Sequence, residues 1–279
     1  MINHLILPSG GYNGFAILGV LISLIKKKYI DISNLKSIFG TSVGSLIGVL
    51  LILKIDINDI EEYFINKPSN SFKSSIKLKR IYKSGGLINK NFFIETFESL
   101  FKCCDLNIKN TTLKQLYDWN NIDLYIYSYC KSDNKTVSFS HYTHPNMLLL
   151  TAIHASCSIP IIFEPVKYKK KIYVDGVISN NLCLIDICID KYDLKNEDNI
   201  FEISINKIKQ NNLSIFGDLY NDVLSLLDYK KIRSCKNCCY IDSTGFNIKD
   251  ALKSFLLKEK RNQLIEYGKK CGENFLNSL

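Results

Sequence analysis

Ser42 stands between two glycines in Gly40-Thr41-Ser42-Val43-Gly44, where one apolar run ends and another begins. A serine in a Gly-x-Ser-x-Gly turn is the sequence form of a nucleophile elbow. A strand ends, the backbone turns sharply, and the hydroxyl is presented at the tip. Glycines on either side let the following helix approach the strand closely. The free N–H groups and positive dipole end of that helix favour an anion developing at the same spot. The chemistry on offer is attack on a carbonyl carbon, which a serine performs only beside a base.

Histidine is the usual base, and the chain has four: His4, His141, His144 and His154. In the α/β-hydrolase order the histidine follows the acid, yet no histidine lies beyond Asp175. The elbow also follows only two strand-like runs, too early for that fold. A carboxylate can replace the histidine if it is held against the hydroxyl and partly desolvated, which raises its basicity. Asp175 suits this role best: it ends the apolar run Ile172–Val174, and Gly176 after it permits a tight turn. Taken alone, the same Asp-Gly pair is an ordinary turn-former.

The elements that must position these groups can be traced in order. Ile2–Leu7 reads as a buried strand, Ser9-Gly10-Gly11-Tyr12-Asn13-Gly14 as a turn, and Phe15–Lys28 as a helix closed by lysines. This is not a dinucleotide fingerprint, since Ser9 takes the place of the first glycine, and there is no Gly-Lys-Ser/Thr for a P-loop. The remaining use of such a turn is a row of backbone N–H groups able to hold an oxyanion. Strand Leu35–Phe39 leads into the elbow, followed by helices Val43–Leu53 and Asp56–Asn66, the latter with Glu61 and Glu62 expected in solvent. Beyond the break at Gly85-Gly86, helices are expected over Phe92–Phe101, Thr111–Trp119 and Met147–Ala155. A hairpin joins Asp123–Cys130 to Thr136–His141. A basic loop, Lys167–Lys171, precedes strand Ile172–Val174, and Ile200–Ile205 is a further strand. Ile208–Thr244 reads as irregular except for a helix near Asp218–Leu227. Ile248–Phe275 reads as a long helix interrupted at Gly268.

The chain has 279 residues, 46% of them hydrophobic, enough for one large α/β domain or two small ones. Its net charge of +9 suits an anionic partner. No nucleic-acid motif accompanies the charge, so an anionic membrane surface is the expected partner, against a background of lysine-rich composition. Ten cysteines without a secretory leader pattern point to a reducing, intracellular setting. The apolar runs Phe15–Ile25 and Leu46–Leu53 are shorter than the roughly 20 residues of a membrane span, so a soluble or peripherally associated protein is expected. Cys235-Lys236-Asn237-Cys238 lacks a second ligand pair and reads as free thiols rather than a zinc site. Cys103-Cys104 reads as core. No acidic calcium loop is present, and no cofactor is expected.

The order of glycine-rich turn, Gly-x-Ser-x-Gly, Ala155-Ser156-Cys157-Ser158-Ile159-Pro160 and Tyr173-Val174-Asp175-Gly176 closely resembles the patatin-like phospholipases. The resemblance implies a single α/β domain with a central mixed sheet between helices. It covers residues 1–206, and 207–279 form a helical C-terminal extension expected on the same domain. It implies a Ser42-Asp175 dyad and an oxyanion hole from Gly10, Gly11 and Tyr12, with Gly14, Gly40, Gly44 and Gly176 supporting the motifs. The implied activity is hydrolysis of acyl esters in phospholipids or lysophospholipids. A thioesterase or acyltransferase would carry the same dyad, and a weakly active membrane- or partner-binding protein would keep the fold. Ser9, Asn13 and Val177 depart from the family pattern, where glycine, a basic residue and a small residue are usual. Two basic groups, Lys167/Lys169/Lys170/Lys171 and Lys77/Lys79/Arg80/Lys83, are the expected membrane contacts.

Overall fold

A computed structural model describes residues 1–68, 79–178, 183–206, 233–242, 253–254 and 256–279, with the side chains of 79–81 excepted. Its strands are β1 (His4–Leu7), β2 (Ser37–Thr41), β3 (Gly86–Ile88), β4 (Asp123–Cys130), β5 (Lys135–Phe139), β6 (Ile161–Phe163), β7 (Val166–Tyr168), β8 (Lys171–Asp175), β9 (Ile200–Asn206) and β10 (Cys238–Asp242). Its α-helices are α1 (Gly14–Lys26), α2 (Val43–Ile52), α3 (Ile57–Asn66), α4 (Lys79–Ser84), α5 (Asn91–Cys103), α6 (Leu113–Asn120), α7 (Leu149–Ser156), α8 (Leu184–Tyr192) and α9 (Lys258–Asn277).

In the central sheet β10, β9, β1, β2 and β4 run parallel in that order. Parallel strands are covered on both faces and so read as unbroken apolar or small-residue runs; every residue of β1 and β2 is buried. Side chains alternate between two cores. Leu5, Leu7, Ile38, Leu124 and Ile126 enter the larger one with α1 and α2. Ile6, Phe39, Tyr125 and Tyr127 face Leu184, Ile185 and Cys188 of α8 on the other side.

The mixed part of the sheet is built on β4. Strand β2 pairs with 123–127, rising parallel to it, and β8 pairs with 128–130, descending antiparallel. Strand β5 takes 126–130, which overlaps both and so must lie on the opposite edge. Thus β2 and β8 share one edge of β4 and meet end to end. Thr41 is level with Tyr127, and Asp175 is level with Ser128. Ser42 is the next residue after this junction.

Helix α9 lies against α1 through glycines. A Cβ at Gly19 would fall 2.1 Å from the Ile265 carbonyl oxygen, and one at Gly268 would fall 2.0 Å from that of Ala16. Gly268 therefore does not interrupt the helix; it is the contact that lets the two backbones touch. Replacing it with alanine removes an intrinsic helix penalty of about 1 kcal/mol but overpacks a backbone contact that no rotamer relieves, costing about 1–3 kcal/mol. Gly268→Ala is accordingly expected to lower the thermal midpoint and Gly268→Val to lower it further. A midpoint that stayed or rose would contradict this contact.

Other expectations are corrected. Glu61 is not solvated: it accepts from Lys269 at 2.5 Å and Lys26 at 3.3 Å, tying α3 to α9 and α1. Cys103 is exposed, and only Cys104, half-buried, packs against the core. The basic loop is a hairpin, with Lys167 in β7, Lys171 in β8 and Lys169-Lys170 as its turn. The stretch read as irregular contains β10, which extends the main sheet beside β9. Strands β3, β6 and β7, three residues each, are too short for periodicity to show. The expected helix near Asp218–Leu227 lies outside the described residues, as do Lys77 and the side chains of Lys79 and Arg80. Among the described residues no helix is long and apolar enough to cross a membrane.

Candidate active site

Ser42 adopts φ 54°, ψ −125°, a conformation that costs a non-glycine residue about 1–3 kcal/mol and persists only where its surroundings over-determine it. They do so here. Its N–H donates to Ser156 Oγ at 2.9 Å, and that hydroxyl donates onward to the Tyr127 carbonyl at 2.6 Å. Its carbonyl accepts from the Ser45 N–H at 2.9 Å and the Ser45 hydroxyl at 2.6 Å, starting α2. A Cβ at Gly44 would lie 2.3 Å from the Leu7 carbonyl oxygen, and one at Gly40 2.7 Å from Ser45 Cα. The two glycines that flank the serine are thus where α2 closes onto β1 and β2.

The Ser42 hydroxyl donates to Asp175 Oδ2 at 2.7 Å, and both residues are buried. The other carboxylate oxygen accepts from the Val177 N–H at 2.9 Å, and the Asp175 N–H donates to the Ser158 carbonyl at 3.0 Å. A hydroxyl held on a carboxylate that is itself oriented by a third group is the arrangement of a nucleophile beside its base. Val177 contributes only its N–H, which any residue but proline supplies, so this departure leaves the orientation of Asp175 intact. Gly176 sits at the junction, where a Cβ would be 2.6 Å from the Tyr127 carbonyl oxygen.

Sequence reasoning gave no role to three serines. The Ser156 hydroxyl, at the end of α7, holds the Ser42 N–H, and the Ser158 carbonyl, two residues beyond, holds the Asp175 N–H. The Ser158 hydroxyl donates to the His154 and Glu164 carbonyls. Ser128 donates to the Val174 carbonyl at 2.8 Å and to that of Ala155 at 3.1 Å, joining the acid's strand to the same helix. The signal was present: alternating serines inside a buried, apolar segment must each find a partner. Between them Cys157 packs against Ser42 and Ser45, and burial, then the neighbouring Asp175, pushes its thiol well above the ordinary range. Such a thiol is unreactive.

The glycine loop lies alongside. Gly11–Asn13 form a short 3-10 turn with Gly11 at φ 54°, and the Asn13 N–H donates to Gly10. Among the described residues the N–H groups of Gly10 and Gly11 donate to no acceptor. Tyr12 is the middle residue of the turn, and Gly14 opens α1 against Val43, whose Cγ2 a Cβ there would meet at 2.3 Å. Ser9 has no positive φ, so a serine serves in place of glycine without strain. Asn13 is buried with its Oδ1 unpartnered, a position where a charged side chain would be desolvated.

His4, at the start of β1, bonds the Ser37 hydroxyl at 2.7 Å, and His141 stacks on Tyr117 beside Asp123 at the start of β4. Both are at the end of the strands opposite Ser42. His144 packs on Phe139. His154 packs on Phe93, and burial pushes it down to about 4, which keeps it neutral at pH 7. Among the described residues no group of His, Cys, Asp and Glu could hold a metal ion.

A family profile described as "Patatin-like phospholipase" matches residues 5–187, which span both the elbow and Asp175. The chain is similar to an uncharacterised protein of Acanthamoeba polyphaga mimivirus, 28% identical over 194 residues, covering 68% of this chain and 63% of that protein. It is also similar to a probable lipid hydrolase of Invertebrate iridescent virus 6, 28% identical over 198 residues, covering 69% of this chain and 65% of that one. The matches thus span less than two thirds of either viral relative. In fold it resembles VipD from Legionella pneumophila, with a TM-score of 0.60 at 15% identity over 99% of this chain and 67% of that one. With the profile covering well over half of its length, the chain belongs to the patatin-like phospholipase family.

Proposed function

We propose that the protein is a lipid acyl-ester hydrolase of phospholipase A or lysophospholipase type, working through Ser42 and Asp175. The observation that carries this reading is the 2.7 Å hydrogen bond from the elbow serine to a buried, oriented carboxylate. Family membership and the similarity to the probable lipid hydrolase of Invertebrate iridescent virus 6 support it. Ser42 Oγ attacks the ester carbonyl as its proton passes to Asp175. The tetrahedral oxyanion accepts hydrogen bonds from the Gly10 and Gly11 N–H groups, with Tyr12 next in line. Collapse breaks the ester C–O bond, and Asp175 returns the proton to the leaving alcohol. Water then attacks the acyl-enzyme, Asp175 takes its proton, and the fatty acid leaves as Ser42 is regenerated.

The test is product analysis by mass spectrometry on phosphatidylcholine and lysophosphatidylcholine. Wild type is expected to release fatty acid from at least one of them, and Ser42→Ala from neither. Absence of fatty acid release by folded wild type, or equal release by the variant, would overturn the reading.

A further inference from the structure

Beside the acid's strand lies a cavity of about 450 Å³, within the size range of small-ligand sites. Its apolar wall includes Ile172, Val174, Phe163, Pro160 and Pro165, and Lys131 stands at its rim. Val174 immediately precedes Asp175. Ile172 pairs across the sheet with Lys167 of β7, and on its other side the Lys131 N–H donates to its carbonyl at 2.8 Å. Directly opposed residues of an antiparallel pair project from the same face with Cβ atoms about 5 Å apart. Lys167 and Ile172 therefore form a row on one face, and Lys131, the first residue after β4, lines the cavity beside them.

The two hairpin turns that flank this row carry six lysines and one aspartate over residues 131–135 and 167–171. Asp133 is already engaged by Lys171 at 2.6 Å and Lys135 at 3.9 Å. Lys131, Lys167 and Lys170 are exposed and have no ion-pair partner among the described residues. Lys169 and Lys170 occupy a two-residue turn at φ 46° and 65°, positions that favour asparagine and glycine. Because β8 descends towards Asp175, its starting turn stands beyond the same sheet edge that carries Ser42, roughly 15 Å away at about 3.3 Å per residue.

We propose that this face binds an anionic phospholipid of a bilayer, with an acyl chain in the cavity and the phosphate between Lys131 and Lys167, reinforced by Lys170. The inference deepens the hydrolase reading by naming the surface that brings the enzyme to its lipid. Flotation with Ser42→Ala protein, which leaves the lipid intact, tests it. Binding is expected to vesicles of phosphatidylcholine with phosphatidylserine, to be weak for phosphatidylcholine alone, and to be lost at high salt. Changing Lys131, Lys167 and Lys170 to Gln together is expected to weaken binding by roughly fivefold per lysine and 100-fold in all. In a Ser42-intact background the same triple variant is expected to hydrolyse a soluble short-chain ester at the wild-type rate.

A second readout addresses the cavity. Trp119 is the single tryptophan, so a Phe163→Trp, Trp119→Phe protein carries one reporter in the cavity wall, expected to be quenched by phosphatidylserine brominated on its acyl chains. Undiminished vesicle binding by the triple variant would overturn the proposal, as would bound protein with an unquenched Trp at 163. A protein that bound vesicles in the expected pattern yet hydrolysed no ester would leave this surface standing and remove the hydrolase reading instead.

Discussion

Ser42→Ala and Asp175→Asn are each expected to reduce hydrolysis of a soluble ester by roughly 10⁴-fold or more, and the double variant is expected to be little slower than either. The hydroxyl and the carboxylate share one proton over one 2.7 Å hydrogen bond. Removing either end therefore removes the same step, and the losses do not add. Both variants should fold. Asparagine keeps an oxygen for the Val177 N–H, which holds the side chain in place, and the elbow is pinned through the Ser42 backbone rather than its side chain. Changing His4, His141, His144 or His154 is expected to leave turnover within a few-fold of wild type, because none takes part in the scheme. A folded histidine variant without activity would show that the base is not Asp175.

Gly11→Val is expected to lower kcat by about 10²–10³-fold, the usual loss for one oxyanion donor, with KM little changed. The asymmetry follows from when the hydrogen bond forms: the oxyanion exists in the transition state and not in the bound ester. Gly11 holds φ 54°, which a β-branched residue adopts only at a high cost. The substitution therefore turns the N–H away rather than merely crowding it. Gly11→Ala, with a smaller penalty, is expected to lie between. Full activity in a folded Gly11→Val protein would remove the loop from the mechanism.

Much of this was legible in the chain. The elbow could be read because its geometry demands glycine at two positions, and the contacts of Gly40 with Ser45 and Gly44 with Leu7 give the reason. Asp175 could be singled out only through the resemblance to a family, because a strand-ending Asp-Gly taken alone is an ordinary turn. The register that brings the two together could not be read. It depends on β8 taking up the edge of β4 where β2 leaves it, a long-range pairing that no local pattern encodes. Gly268 was misread for a related reason. A glycine in a helix signals a break or a close approach, and only the position of α1 decides between them. Glu61 looked like a solvent-facing residue until Lys26 and Lys269, far away in sequence, enclosed it.

The central claim is that Ser42 is an activated nucleophile whose base is Asp175, and a fluorophosphonate probe tests it without any assumption about the lipid. Such a probe phosphonylates a serine only when its proton can be removed. Peptide mass spectrometry of the intact, folded protein is expected to find the adduct on Ser42, with labelling abolished in Asp175→Asn and retained when each histidine is changed. An unlabelled Ser42, or an Asp175→Asn protein labelled as fast as wild type, would contradict it.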